Sequence, residues 1–390
     1  MKHYSYTMII LLLSKISFAS AANSCDGHDH HHTSKHLHIE ENKDSSNSIH
    51  GHFHTMTHFD RVKQSNASKE YNELYTHSHL EADLELGKNL SVVTNITLEG
   101  HPADNHGGCS HSHKNAGCSH SHKNVNTQNK YLHRHQMQIE ELKLVFKKRF
   151  FSIYAGKFNP VVGFDYHKFP GIYTYQSIES YSIKEKVGLG GVINYEHGSY
   201  MSQLDTSIFS ADTSILSESI LNSKGRNKKS YGGVGNTKNI SSFSAAVSGF
   251  SLNTEGFYYR IGFAKQAKSL SEQYDETRLS KSLGYNYKIS DSTTVIIAGE
   301  QMTVFHSNGR ASNNYTYNTL ALGLDYRKWN FSTGYTSKQN QNEIKTKSLN
   351  LSTGYKFSNA IKIDIGYKHD TKYKKFSDRL GLLVSYSHEL

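Results

Sequence analysis

The chain has 390 residues, 36% apolar and 20% charged, with a formal net charge of +10, 29 Gly, 26 Tyr and only 3 Pro. No stretch approaches the roughly 20 consecutive apolar residues of a membrane helix, so any bilayer crossing must be made with strands, in which every second residue can face water. The basic charge suits anionic lipid, anionic solutes or nucleic acid, but no nucleic-acid-binding motif accompanies it, and nucleic acid is not an expected partner.

Residues 1–22 read as a secretory signal. Lys2 supplies the positive start, Met8 to Leu13 the short apolar core, and Ala19-Ser20-Ala21 a small-residue cleavage site. Three Cys in an oxidising compartment are too few to staple a fold. Residues 23–70 are rich in His, Ser, Asn, Asp and Lys, with few aliphatics and no sustained period. Such a segment buries too little apolar surface to offset its conformational entropy, so it is expected to be mostly disordered. It holds ten His between His28 and His58.

Alternation starts at Leu80, where Leu80, Ala82, Leu84 and Leu86 interleave with Glu81, Asp83 and Glu85, and a second strand runs from Leu90 to Leu98. A polar, His-rich insertion fills 100–135. Strands resume at 138–147 and 150–158. Residues 159–183 then break the pattern, because Pro160 and Pro170 exclude a central strand. Further strands fall near 184–196, 199–210, 239–250, 255–265, 277–288, 292–304, 316–327, 329–337, 345–357, 360–369 and 378–390.

The hairpin from Ser348 to Asp370 shows the pattern most clearly. Leu349, Leu351, Tyr355 and Phe357, then Ile361, Ile363, Ile365 and Tyr367, share one face; Asn350, Ser352, Lys362, Asp364 and Lys368 share the other. Four Gly-Tyr pairs (Gly284-Tyr285, Gly334-Tyr335, Gly354-Tyr355 and Gly366-Tyr367) put Tyr on the apolar face, suited to a membrane–water boundary, and Gly on the other. An open sheet of this size would expose both edges and an apolar face. Closure removes the edges, and lipid covers the face. Short joints alternate with long ones, as periplasmic turns alternate with external loops in outer-membrane barrels. Fifteen strands are legible from Leu80 onward. Starting and finishing on the periplasmic side needs one more, near 58–75. The expected fold is therefore an all-β transmembrane antiparallel barrel over 71–390 with sixteen strands, fourteen being the alternative.

Ala155-Gly156-Lys157-Phe158-Asn159-Pro160-Val161-Val162-Gly163 resembles a segment of the phosphate-selective-type and related porins of Gram-negative outer membranes. The resemblance covers about residues 80–390. It implies an outer-membrane barrel, usually sixteen-stranded and often a homotrimer, passing small hydrophilic solutes or ions, with the third external loop folded into the pore. Loop 159–183 would be that constriction loop, offering Asp165, His167, Lys168 and Glu179 as pore-lining candidates. No Arg or Lys ladder of the phosphate-selective kind is present, so phosphate specificity does not carry over.

Twenty of the 26 His fall between His28 and His135. A nine-residue repeat sets Cys109, His111 and His113 against Cys118, His120 and His122, and a denser cluster holds His28, His30, His31 and His32. Imidazole and thiolate suit Zn, Cu or Ni, and two repeats could close a Cys2His2 shell. The spacing matches no zinc-finger pattern, which points to capture or buffering instead of a folding nucleus; polar filler, a Cys109–Cys118 disulfide and a pH-responsive patch are the competing readings. No nucleophile elbow or matched acid–base pair is present, so no enzymatic activity is expected. A passive channel with a role in Zn uptake is the expected function; the alternative is a non-conducting barrel that displays a metal-binding or adhesive segment.

Overall fold

The computed structural model describes residues 48–65, 69–100, 129–132, 135–165, 169–221, 225–253, 255–340, 343–373 and 375–390. Sixteen long strands follow one another: β1 (Ile49–Gln64), β2 (Lys69–Glu85), β3 (Leu90–Glu99), β4 (Gln136–Lys147), β5 (Phe151–Phe158), β6 (Lys186–His197), β7 (Tyr200–Ala211) and β8 (Ser242–Ser251) form the first half. The second half is β9 (Gly256–Gln266), β10 (Glu276–Ser290), β11 (Thr293–Phe305), β12 (Tyr315–Tyr326), β13 (Trp329–Asn340), β14 (Glu343–Lys356), β15 (Ile361–Lys372) and β16 (Lys375–Glu389). Each pairs antiparallel with its neighbour in sequence, and β1 pairs with β16 from His52↔Glu389 to Gln64↔Ser377, so the sheet closes. A two-residue bridge, Lys130–Tyr131, lies parallel along Glu73 and Leu74, where β2 runs on past the end of the shorter β3.

The outward face has three bands. Phe151, Tyr195, Tyr200, Phe257, Tyr287, Tyr326, Trp329, Phe357 and Tyr386 are exposed at one end, and Phe243, Phe263, Phe305 and Phe376 at the other. Exposed aliphatics such as Ile208, Ile261, Leu283, Leu320, Leu351 and Leu382 lie between them. An apolar band between two aromatic girdles is the surface that a barrel presents to a bilayer. Tyr355 sits in the first girdle, 4.9 Å from both Trp329 and Phe357.

At that end the strands are joined by two to four residues (86–89, 148–150, 198–199, 252–255, 291–292, 327–328 and 357–360), and both chain ends of the barrel lie there. The opposite end carries every long connection: 100–135, 159–185, 212–241, 267–275 and 306–314. It also carries three short ones, at 65–68, 341–342 and 373–374, because the strands they join, β1 with β2 and β13 to β16, run further outward than the apolar pattern indicates. With short turns periplasmic and long loops external, Asn359 lies on the periplasmic side. A cysteine placed at 359 should resist a membrane-impermeant maleimide on intact cells and react after outer-membrane lysis; reaction on intact cells would invert the topology.

The sixteenth strand expected near 58–75 exists, but its place corrects the sequence reading. The barrel starts at Ile49, not 71, and the latter part of the polar 23–70 segment is β1 and the beginning of β2. The reason is chemical. The lumen face of β1 is His50, His52, His54, Met56, His58 and Asp60, while its lipid face includes Gly51, Thr55 and Thr57. That lipid face also carries Ile49, Phe53 and Phe59, but glycine and threonine separate them and four of the six lumen residues are His, so the alternation lacks the regular aliphatic contrast of the later strands. The signal segment 1–22, residues 23–47 and most of the 100–135 insertion lie outside the described residues.

Candidate channel constriction

Segment 159–185, the third external connection, does not stay outside. It enters the barrel and crosses the lumen, carrying a short helix, α1 (Thr174–Glu179). Ile172, Tyr173 and Ile178 on it are at most 4% exposed. The wall makes room with small residues. Ala246 on β8, Gly262 and Ala264 on β9, Ser280 and Ser282 on β10 and Ala298 on β11 form the inner surface beside Val162, Phe164 and Phe169. Further round, a Cβ on Gly323 would lie 2.9 Å from Pro170, one on Gly366 2.6 Å from Ile172, and one on Gly381 1.9 Å from the Tyr173 hydroxyl. Among the four Gly-Tyr pairs, Gly334 and Gly366 face this loop, whereas Gly284 and Gly354 accommodate wall side chains, Tyr258 and Asp364 respectively.

Polar contacts fix the loop at both ends. Glu300 on β11 accepts from the Phe164 backbone N–H, from the Tyr181 hydroxyl at 2.8 Å and from Ser282 at 2.7 Å. Arg260 donates to the Gly163 carbonyl at 2.8 Å, and Arg278 to the Tyr181 carbonyl. Across the lumen, Tyr173 donates to Asp60 at 2.8 Å, Thr174 to Asn350 at 3.0 Å and Gln176 to the Tyr75 hydroxyl at 3.1 Å. A loop held to β1, β2, β9, β10, β11 and β14 can move only by breaking several buried hydrogen bonds, each exposing groups that are costly to leave unpaired.

The space left beside the loop is a cavity of about 590 Å³. It runs from His50 and His52 at the periplasmic rim to Arg278 and Lys184, between the wall, made by β1–β7 and β9–β11, and loop residues 159–165 and 181–184. Its lining is mixed in charge: Lys143, Lys147, Lys184, Arg260 and Arg278 face Glu81, Asp83, Glu140, Glu141, Asp165, Asp205, Glu300 and Glu389. Rings and walls of charge set the sign of what enters a narrow space, and this one is not predominantly cationic despite the chain's net charge.

Of the four constriction candidates, Asp165 lines this cavity. Glu179 lies at the end of α1 in contact with Lys184. His167 and Lys168 lie outside the described residues, as do Cys109, His111, His113, Cys118, His120, His122, His28, His30, His31 and His32.

The sequence reading missed a second group. On β1 and β2 the facing inward pairs are His50–Asp83, His52–Glu81, His54–His79, Met56–His77 and His58–Tyr75. His77 faces Glu99 of β3, and its Nε2 lies 2.6 Å from Nε2 of His79. Above them, buried His58 stacks on Tyr75 at 4.6 Å and meets the Tyr175 hydroxyl at 3.2 Å. The signal was in the sequence as His at 50, 52, 54 and 58 and again at 77 and 79; it was hidden by the density of His in the tracts before and after.

Solved structures share this barrel fold. The chain aligns over 88% of its length, and 97% of the other chain, with the outer membrane channel DcaP of Acinetobacter baumannii (12% identity, TM-score 0.51). This chain has the porin fold, a barrel of the Gram-negative outer-membrane type. The anion-selective porin from Comamonas acidovorans matches at 9% identity and a TM-score of 0.52, over 88% of this chain and all of that one. OmpT of Vibrio cholerae matches at 11% identity and a TM-score of 0.51, over 89% of this chain and 99% of that one. No protein-family model matches the sequence, and no curated protein does. The porin-type barrel is thus shared with proteins whose residues have almost entirely diverged.

Proposed function

We propose that the protein is a passive outer-membrane channel for small hydrophilic solutes or ions, and that its His-rich stretches bind divalent transition metal, with a role in Zn uptake. The observation carrying the channel reading is the loop 159–185 inside a closed barrel, beside a cavity that is open to solvent-like groups and lined by opposed charges. A wall of this kind selects by charge and size without consuming energy. Metal binding rests on the density and spacing of His and Cys in 28–32 and 109–122.

Purified protein in a planar bilayer is expected to give stepwise ohmic conductance. Asp165→Ala is expected to shift the cation/anion permeability ratio toward anions about two- to five-fold, as an interaction on the order of 0.5–1 kcal/mol between a pore charge and a permeant ion implies. Unchanged selectivity would remove Asp165 from the conducting path. A second reading has one observation in its favour. The loop packs its own Phe164, Phe169 and Ile178 into an apolar cluster with Phe158, Phe209 and Ala264 of the wall, which suits a barrel that does not conduct and instead displays its external segments for metal binding or adhesion. A silent bilayer would select it.

A further inference from the structure

The geometry points to a metal-ion site inside the barrel, built by His77, Glu99 and Glu179 with His79 hydrogen-bonded behind His77, which would hold a divalent transition-metal cation at the head of a donor track leading down the wall to the periplasm. It deepens the channel reading by naming a permeant class, and rests on that reading for transport but not for binding.

The site begins with two imidazoles. Nε2 of His77 and Nε2 of His79 are 2.6 Å apart, and both residues are buried. At that distance one imidazole donates its N–H to the other, and the two nitrogens are too close for both to ligate one ion at about 2.0–2.1 Å each, so His79 orients His77, and His77 is the ring grouped with the carboxylates. Glu99 on β3 and Glu179 at the end of α1 complete the group: one ligand atom from each of His77, Glu99 and Glu179 lies within 4.8 Å of the others. Borderline nitrogen donors with one or two carboxylates suit Zn²⁺ and its first-row neighbours, whereas Mg²⁺ and Ca²⁺ prefer oxygen shells.

Charge supports a dication. Glu99, Glu140 and Glu179 converge on a single ammonium, Lys184, which lies 3.8 Å from Glu99 and 3.4 Å from Glu140 and is hydrogen-bonded to Glu179. Carboxylates outnumber ammonium groups at this point of the lumen, and only Glu99 and Glu179 among them belong to the ligand group. Lys184 is then a resident cation that shares Glu99 and Glu179 with an incoming metal, so binding is reversible and not a permanent structural site. This also accounts for the ion-pair network, which by itself would only tether the loop to β3 and β4.

Below the site the donors continue. His54 faces His79, His52 faces Glu81 and His50 faces Asp83, each pair two residues further down the strands, a step of about 7 Å. His79, His52 and His50 all open on the same cavity, which also reaches Lys184. Repeated weak sites at short intervals are what conduction needs, since an ion must be able to leave each one.

The test is Co²⁺ titration of the full-length protein in detergent, following the visible d–d bands and the bound stoichiometry. The His77→Ala/His79→Ala double variant is expected to lose one Co²⁺ per chain. A loop control, His111→Ala/His113→Ala, is expected to keep that ion. Lys184→Gln is expected to tighten it about tenfold or more, since the competing ammonium is gone. Each variant is checked for heat-modifiable migration, so that loss of fold is not read as loss of metal. Equal stoichiometry and affinity in wild type and the double variant would overturn the site, and unchanged affinity in Lys184→Gln would overturn the competition. Bilayer recordings separate the two readings: a luminal Co²⁺ in a silent barrel sinks the channel and keeps the site, while conductance without a luminal Co²⁺ does the reverse.

Discussion

Replacing Arg379 with Ala should destabilise the barrel by about 3–5 kcal/mol, the cost of leaving buried charge without its partner. Arg379 on β16 donates through one nitrogen to Asp60 of β1 at 2.6 Å and to Glu73 of β2 at 2.8 Å. These three strands form the seam where the first and last parts of the chain meet, and all three side chains are buried. Without the guanidinium, Lys130 remains 3.9 Å from Glu73. Asp60 keeps only the hydroxyls of Tyr75 at 3.0 Å and Tyr173 at 2.8 Å, which cannot neutralise a carboxylate. Reversible urea unfolding in lipid vesicles would measure the loss. Arg379→Ala combined with Asp60→Asn should recover part of it, because the remaining amide has no charge to bury. A loss below about 1 kcal/mol for the single variant would mean that water reaches the seam and that the triad is not a staple.

Gly262→Val is expected to lower single-channel conductance while leaving the barrel folded. A Cβ at 262 would lie 1.9 Å from the Val162 carbonyl oxygen, 2.7 Å from its carbonyl carbon and 3.0 Å from its Cα. All three are backbone atoms, so no rotamer change relieves the clash; the strand is held in its ladder, and the loop must move. Away from the wall means into the cavity that Val162 itself lines. Overpacking of this kind costs about 1–3 kcal/mol, small beside the ladder that closes the barrel. Gly299→Ala on β11 is the control: its Cβ would meet nothing closer than 3.6 Å, and it should conduct as wild type does. Conductance unchanged in Gly262→Val would show that this part of the loop lies off the ion path.

Both substitutions act at positions whose importance is invisible along the chain. Arg379 is one of many cations in an alternating strand, and its partners are 319 and 306 residues away. Gly262 looks like any glycine in a strand. The inner-wall run of Ser, Gly and Ala on β8 to β11 carries no apolar signal, and its meaning comes from the bulky loop that fills the space it leaves. Asp165 was legible as a constriction candidate because Pro160 and Pro170 mark a non-strand insertion at a fixed place in the strand order. His77, His79 and Glu99 were not, because pairing β2 and β3 in register is what brings them together.

What the sequence by itself determined is the barrel: period-two alternation, the parity of short and long joints and the absence of any apolar helix dictate strands, closure and a lipid-covered outer face. That information is local, carried by each residue's neighbours two positions away. The lumen was decided by tertiary structure alone. Its wall is polar and its loop irregular, so no period announces which residues meet there. Register across β1, β2 and β3 assembles the histidine track, the seam buries Arg379 between two carboxylates, and the crossing of loop 159–185 sets the width of what remains. Contacts between residues on different strands, some of them more than three hundred positions apart, make the interior, and one-dimensional pattern has no term for them.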